Sequence, residues 1–272
     1  MSKILPSGEG PQEAVIDFLK QVLEKNCCDF VLVPVKGPDE KSYSWVLLKD
    51  QTLLDQADPL PPVMTVQGGA ALSSLTKHGG MGLKTAAVMR PCEIRAAVEL
   101  FKLKQVELED VILISIDCPG ALPLAGYMDD PEEKSNQFKT VLEKWEPSEA
   151  LRSVCRICHR FSLPFLLPSF PQESPAKEND GEAAPDLHVG IGKENDSIYL
   201  IPVTSKGESV MDQLGFSRED SLKDWESKID KIGRRKQEEK ELFSREWAAK
   251  LQGPDGFADS FDECINCHNC MR

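Results

Sequence analysis

Nine cysteines punctuate this chain of 272 residues, and several stand at the spacing of metal ligands. Cys264, Cys267 and Cys270 form a C-x2-C-x2-C run, Cys264-Ile265-Asn266-Cys267-His268-Asn269-Cys270. Three thiolates at that pitch wrap one iron–sulfur cubane, and the usual continuation is x3-C-P. It does not follow here, so the expectation is a truncated chain, or a last ligand supplied by another cysteine or by a partner. Cys155 and Cys158 make a second chelating pair. Cys92 stands directly after Pro91, and Cys118 directly before Pro119-Gly120.

The elements around these residues say how they are to be positioned. Thr85–Met89 and Val111–Ile116 read as buried strands, and Pro91–Leu103 as a helix with proline at its first position. Cys92 then lies in the first turn of a helix, where free N–H groups, the helix dipole and Arg90 favour a thiolate. In a parallel α/β sheet Cys92 and Cys118 both fall beyond the carboxyl ends of strands, the edge where ligands collect. With Cys155 and Cys158 they make a set of four thiols. The plainer alternative is that Cys92 and Cys118 are buried, inert small hydrophobes.

Zinc is the competing metal, since His159 adjoins Cys158 and His268 lies inside the terminal run. The distance from Cys158 to Cys264 is far too long for an ordinary zinc ribbon, and a third cysteine at x2 spacing favours iron. Cys27-Cys28, at the end of the first helix, reads as packing, with a missing ligand as the alternative. His78 and His188 read as ordinary loop and strand residues.

Gln67-Gly68-Gly69-Ala70 joins a predicted strand, Pro62–Gln67, to a helix over Ala70–His78. Two glycines there let backbone approach an anion at a helix N-terminus, and Lys84 and Arg90 are candidates to pair with a pyrophosphate. A simple turn is the alternative. Neither G-x-G-x-x-G nor a Walker lysine is present, so neither standard nucleotide fold is assigned.

Elsewhere residues 11–26 carry a helical stripe of Val15, Phe18, Leu19, Val22 and Leu23. Phe30–Val35, Trp45–Lys49, Leu187–Ile191 and Ile198–Val203 read as strands, and Lys134–Lys144 as a helix. Pro164–Pro185 reads as a surface loop. Arg218–Leu251 is helical, with Leu222, Trp225, Ile229 and Ile232 at three- and four-residue steps. Its basic stretch Lys228–Lys240 reads as a solvated face, with a docking surface as the alternative. The predicted class is α/β, with a mixed or mostly parallel sheet and flanking helices, followed by a long helix and the start of a ferredoxin-like iron–sulfur segment. The expected divisions are 1–217 for the α/β unit, 218–252 for the helical segment and 253–272 for the incomplete cluster motif.

The formal net charge of −13 argues against nucleic-acid binding. No stretch is apolar enough to span a bilayer and no signal peptide is evident, so a cytoplasmic protein is expected.

These pieces in this order resemble the beta subunits of deazaflavin (coenzyme F420) hydrogenases and formate dehydrogenases. The resemblance rests on QGGAALSSL (67–75), AAVMRPCEIRAAVELFKLKQ (86–105), DVILISIDCPG (110–120), CRIC (155–158), DLHVGIG (186–192) and CINCHNCMR (264–272). It implies an iron–sulfur flavoprotein that relays electrons between a 4Fe–4S cluster, FAD and a two-electron carrier, deazaflavin or nicotinamide. Such a subunit works with the other subunits of a hydrogenase, formate dehydrogenase or heterodisulfide reductase type of complex. Carried onto this chain, Gly68 and Gly69, with Lys84 and Arg90, become the flavin-phosphate contacts. Cys92, Cys118, Cys155 and Cys158 become the proximal cluster ligands, and Cys264, Cys267 and Cys270 the start of an added ferredoxin-like module. A pure relay or adaptor, or a zinc-stapled interaction protein, are the alternatives. No side chain is assigned as an acid–base catalyst.

Overall fold

A computed structural model describes residues 3–6, 10–39, 41–79, 82–146, 148–163, 184–192, 197–216 and 222–259. Cys264, Cys267, Cys270 and residues 164–183 of the expected surface loop lie outside the described residues.

The chain opens with β1 (Lys3–Pro6) and α1 (Pro11–Glu24), whose predicted stripe is buried along its length. β2 (Phe30–Lys36), β3 (Tyr43–Leu48) and a short 3-10 helix (Gln51–Gln56) follow. Next come α2 (Gly68–Thr76), β4 (Thr85–Met89), α3 (Pro91–Lys102) and β5 (Val111–Ile116). The middle of the chain is helical, with α4 (Leu124–Asp129), α5 (Pro131–Lys144) and α6 (Ser153–Arg156). β6 (Leu187–Ile191), β7 (Ser197–Pro202) and α7 (Ser205–Leu214) precede the long α8 (Lys223–Lys250) and the short α9 (Gly253–Asp259).

The strands form one seven-stranded sheet in the order β1-β7-β6-β5-β4-β2-β3. Its centre is parallel (β2 with β4, β4 with β5, β5 with β6), and both flanks turn antiparallel. The expected mixed α/β class is what the chain adopts. Every residue of β4 and β5 is buried, the mark of parallel strands covered on both faces. Alternation then sorts them. Ala86, Val88, Ile112, Ile114 and Ile116 point into the large core with α1, α7 and the start of α8. Ala87, Met89, Val111 and Leu113 point into the opposite core under α2 and α3.

α8 is not set apart from the sheet. Trp225, Ile229 and Ile232 belong to the large core. Trp225 lies flat against β6, where a Cβ on Gly190 would stand only 2.5 Å from the indole nitrogen. A bare backbone at Gly190 is what lets the indole approach that closely.

The expected strand Pro62–Gln67 does not form; the segment is irregular. Pro61 and Pro62 bring no N–H to a ladder. The chain there bends over the carboxyl edge of the sheet, and Pro62 O accepts from Leu122 N at 2.7 Å. No helix among the described residues is long and apolar enough to cross a membrane.

Candidate metal centre

Beyond the carboxyl ends of β4 and β5 the chain makes sharp turns that carry cysteine. Cys92 opens α3, and Cys118 follows β5. Cys155 sits in α6, whose short turn leads to Cys158. Cys118 N donates to Phe161 O at 2.8 Å, which ties the β5 loop to the segment just past Cys158. Gly120, at φ +128°, brings the β5 loop against α6: a Cβ built on it would lie 3.2 Å from Cys155 Cβ and 3.0 Å from the Leu151 side chain. The left-handed backbone there and the contact both exclude a side chain. Gly120→Ala is therefore expected to cost about 1–3 kcal/mol in stability and to lower iron retention. Urea unfolding and iron analysis of the same preparation check both parts.

The four thiols act on one another and on two buried cations. Burial pushes the Cys118 thiol up to about 11, with Cys155 and Cys158 adding to the push and Arg90 opposing it. Cys92 is exposed as a residue, yet desolvation of its thiol and then the neighbouring Cys118 push it up to about 12. This corrects the expectation of a ready thiolate at the α3 N-terminus, because Arg90 is outweighed. Cys92 and Cys118 therefore favour the protonated form until a metal displaces the proton, as metals do when they bind cysteine. Arg90 is 2% exposed. Burial opposes its charge, but Cys118, Glu93, Cys92 and Cys155 together hold its pKa above the ordinary value. Its guanidinium donates to Gly120 O at 3.2 Å and to Pro61 O. Lys236, 3% exposed on α8, donates to Cys155 O at 2.7 Å. Its expected place on a solvated face is overturned.

The Gly68-Gly69 turn lies at the same edge, with the Gly68 and Ala70 N–H groups already engaged. Glu93 accepts from Gly68 N at 2.9 Å and from Arg90 N at 3.0 Å, so one buried carboxylate caps α2 and α3 together. Burial pushes the Glu93 carboxyl up in spite of Arg90. Gln67 Oε1 takes Ala70 N. A Cβ on Gly69 would meet Ala97 N at 2.8 Å, and one on Gly68 the Trp45 ring at 2.8 Å. Close packing of α2 on α3 thus accounts for Gly69, and the Trp45 ring of β3 for Gly68. Lys84 is not brought to this turn. It precedes β4, at the opposite edge of the sheet from Arg90, and its backbone N binds Asp29 at 2.8 Å. Cys27 and Cys28 lie at that far edge too, buried in the large core.

No protein-family model matches the chain. A curated relative, F420-dependent formate dehydrogenase 1 subunit beta of Methanococcus maripaludis, is 32% identical over 111 residues, 40% of this chain and 27% of that protein. A chain of the F420-reducing nickel–iron hydrogenase complex from Methanosarcina barkeri has the same fold, with a TM-score of 0.61 at 12% identity over 94% of each chain. Over those 111 residues the chain is similar to the beta subunit of an F420-dependent formate dehydrogenase, and it shares the fold of the hydrogenase chain. It spans about a quarter of the length of the curated relative.

In this chain the cysteine edge is braced by a network that spacing does not announce. Asp117, next to Cys118, is 0% exposed. One carboxylate oxygen accepts from His188 Nε2 at 2.9 Å and from Ser162 Oγ. The other accepts from Ile191 N at 2.8 Å and Trp225 Nε1 at 2.7 Å. Burial works against the charge, but His188 and the bonds from Ser162 and Trp225 hold the carboxyl below the usual range. His188 Nδ1 is buried without a partner, so the ring is tied to the network through Nε2. The residue types mimic a nucleophilic triad, but the geometry does not. Ser162 and Asp117 both meet the same ring nitrogen, and Ser162 is 3% exposed. The network clamps the Cys118 loop, the segment after Cys158, β6 and α8 into one piece.

Among the described residues no group of His, Cys, Asp or Glu is gathered tightly enough to hold a metal ion. A cubane makes a different demand, since it spreads its thiolates over separate irons. The donor set fits one in kind: four cysteine thiols in mutual electrostatic contact, with two buried cations facing a thiolate shell that would be negative. At the same edge, Arg90 and Glu93 line a narrow cleft with Tyr43, Trp45, Met64 and Val66, whose free space is only about 10 Å³.

Proposed function

We propose that this chain is an electron-transfer subunit of a larger oxidoreductase. It would hold a 4Fe–4S cluster through Cys92, Cys118, Cys155 and Cys158, and FAD in the adjoining cleft. What supports the reading is the place of Cys92 and Cys118 beyond the carboxyl ends of β4 and β5, with Cys155 and Cys158 within electrostatic reach of Cys118 and Arg90 lining the adjoining cleft. The curated relative's F420-dependent formate dehydrogenase activity supports deazaflavin as the two-electron carrier, with nicotinamide as the other candidate.

When bound, the cluster would supply one-electron steps and the flavin the exchange between one- and two-electron carriers. The protein's own residues would do the rest. Arg90 and Lys236 place positive charge beside the thiols. Leu151, Phe161 and Tyr127, all buried, exclude water from the loops that carry them. Glu93 fixes the first turns of α2 and α3, and so the position of Cys92. Trp45, held by its bond to Val66 O at 3.0 Å, forms an aromatic wall for the flavin. Cys264, Cys267 and Cys270 would belong to a second cluster whose remaining ligand another cysteine or a partner supplies.

The test is anaerobic purification of the full chain, with iron, acid-labile sulfide and flavin analysis. Bound flavin and a broad visible absorbance bleached by dithionite are expected. A colourless protein carrying only zinc overturns the reading. Steady-state reduction of deazaflavin by the isolated chain would then separate an enzyme from a pure relay between subunits.

A further inference from the structure

The apolar stripe of α8 contains one residue that does not belong to it by type. Trp225, Ile229 and Ile232 are buried, and the next position on that face, at the same three- and four-residue steps, is Lys236. It is 3% exposed. Lysine is almost never fully buried unless it is paired. Yet its hydrogen bond is to a backbone carbonyl, Cys155 O at 2.7 Å, and its other contact is the Phe161 ring at 5.3 Å. No carboxylate among the described residues forms an ion pair with it. Burial opposes its charge and lowers its pKa; Cys158, Cys118 and Cys155 work the other way.

The helix is held in a defined register at this point. One turn on, Glu239 pairs with Arg156 at 2.8 Å; one residue back, Arg235 pairs with Glu146 at 2.6 Å. Lys236 is therefore presented to the cysteine segment by a braced helix. Its ammonium is thereby held against the backbone of the segment that carries Cys155 and Cys158.

We propose that Lys236 is a positioning and tuning residue, a buried cation that raises the reduction potential of the cluster held by Cys92, Cys118, Cys155 and Cys158. The inference rests on the cluster assignment above. On reduction the cluster takes one electron, supplied in the experiment by dithionite, and gains one negative charge; no bond forms or breaks. A fixed positive charge in a dry site stabilises the more negative state. Arg90 contributes from the other side, but its guanidinium also braces the Pro61 and Gly120 backbone. Lys236 is the cation that can be neutralised with less damage to those loops.

The experiment compares the full-length wild type with Lys236→Arg, Lys236→Gln and Lys236→Met. Iron and sulfide are measured first, then the midpoint potential by dithionite titration followed by electron paramagnetic resonance. The signal followed is the one that Cys155→Ser removes, so that a terminal cluster does not intrude. Gln and Met are expected to keep their iron. Both should shift the oxidised-to-reduced ratio at a fixed potential at least tenfold toward the oxidised form, about 59 mV for one electron. Arg should stay near wild type. Unchanged midpoints in Gln and Met overturn the proposal, and so does loss of iron in both while Arg retains it, which would leave Lys236 a purely structural role. A wild type without iron or sulfide refutes the cluster assignment itself, a failure distinct from an unmoved potential.

Discussion

Replacing Asp117 with alanine is expected to destabilise the chain by on the order of 4 kcal/mol or more. The argument is a count of stranded donors. The side chain accepts from His188 Nε2, Ser162 Oγ, Ile191 N and Trp225 Nε1. All of them are buried, and a buried donor left without an acceptor costs about 1–3 kcal/mol. Alanine brings no acceptor, and little space would open for water. Against a total stability of about 5–15 kcal/mol for a typical domain, that loss is large enough to leave much of the protein unfolded at physiological temperature. Asp117→Asn keeps one oxygen and turns the other into a donor, so it should fall between alanine and wild type. Ser162→Ala removes a donor and leaves Asp117 its other partners, so it should cost far less. Urea denaturation followed by tryptophan fluorescence ranks the three. An alanine variant within about 1 kcal/mol of wild type would mean the network does not hold the edge together.

What the residues disclosed in advance follows from how local each feature is. β4 and β5 were legible to the residue because TAAVM and VILISI are short, predominantly apolar runs, each with a single hydroxyl residue, ended by polar or proline-bearing turns. Locating those two strands put Cys92 and Cys118 at one edge. The chelating pair needed only spacing. α7 was missed although its signals are present: Thr204 caps it by accepting from Gly207 N, and Gly215 ends it at φ +69°. A basic reading of the region after Lys223 hid Lys236, whose burial is signalled by continuing the step from Trp225, Ile229 and Ile232. The Asp117 network left no trace of this kind. Its members come from β6, α8 and two loops far apart in the chain, and only tertiary packing brings them together. The Gly68-Gly69 turn shows the opposite failure. The pattern is real, but Glu93 from the next helix already occupies the donor a phosphate would use.

Cys155→Ser or Cys158→Ser is expected to strip the proximal cluster, lowering iron and sulfide by one cluster's worth and removing its dithionite-bleached absorbance. A serine hydroxyl is far harder to ionise than a thiol and is a poor ligand for iron in a sulfur-ligated site. The pair also has few substitutes within reach. Cys27 and Cys28 are buried at the far edge of the sheet, beside Asp29, whose N–H binds Lys84 O at 2.8 Å. Burial pushes the Cys28 thiol up to about 12, so it offers neither position nor charge. Cys28→Ser thus serves as the control: it alters a core thiol, costs some stability through the buried hydroxyl, and should leave the iron content alone. The contrast separates ligation from general damage, since all three variants exchange sulfur for oxygen and only two of them touch the carboxyl edge. Equal iron in wild type, Cys155→Ser and Cys158→Ser would remove these residues from the ligand set. Equal losses in all three variants would show that iron follows fold stability and not the four thiols. Loss confined to Cys155→Ser and Cys158→Ser ties the metal to the loops that Gly120 and Asp117 hold in place.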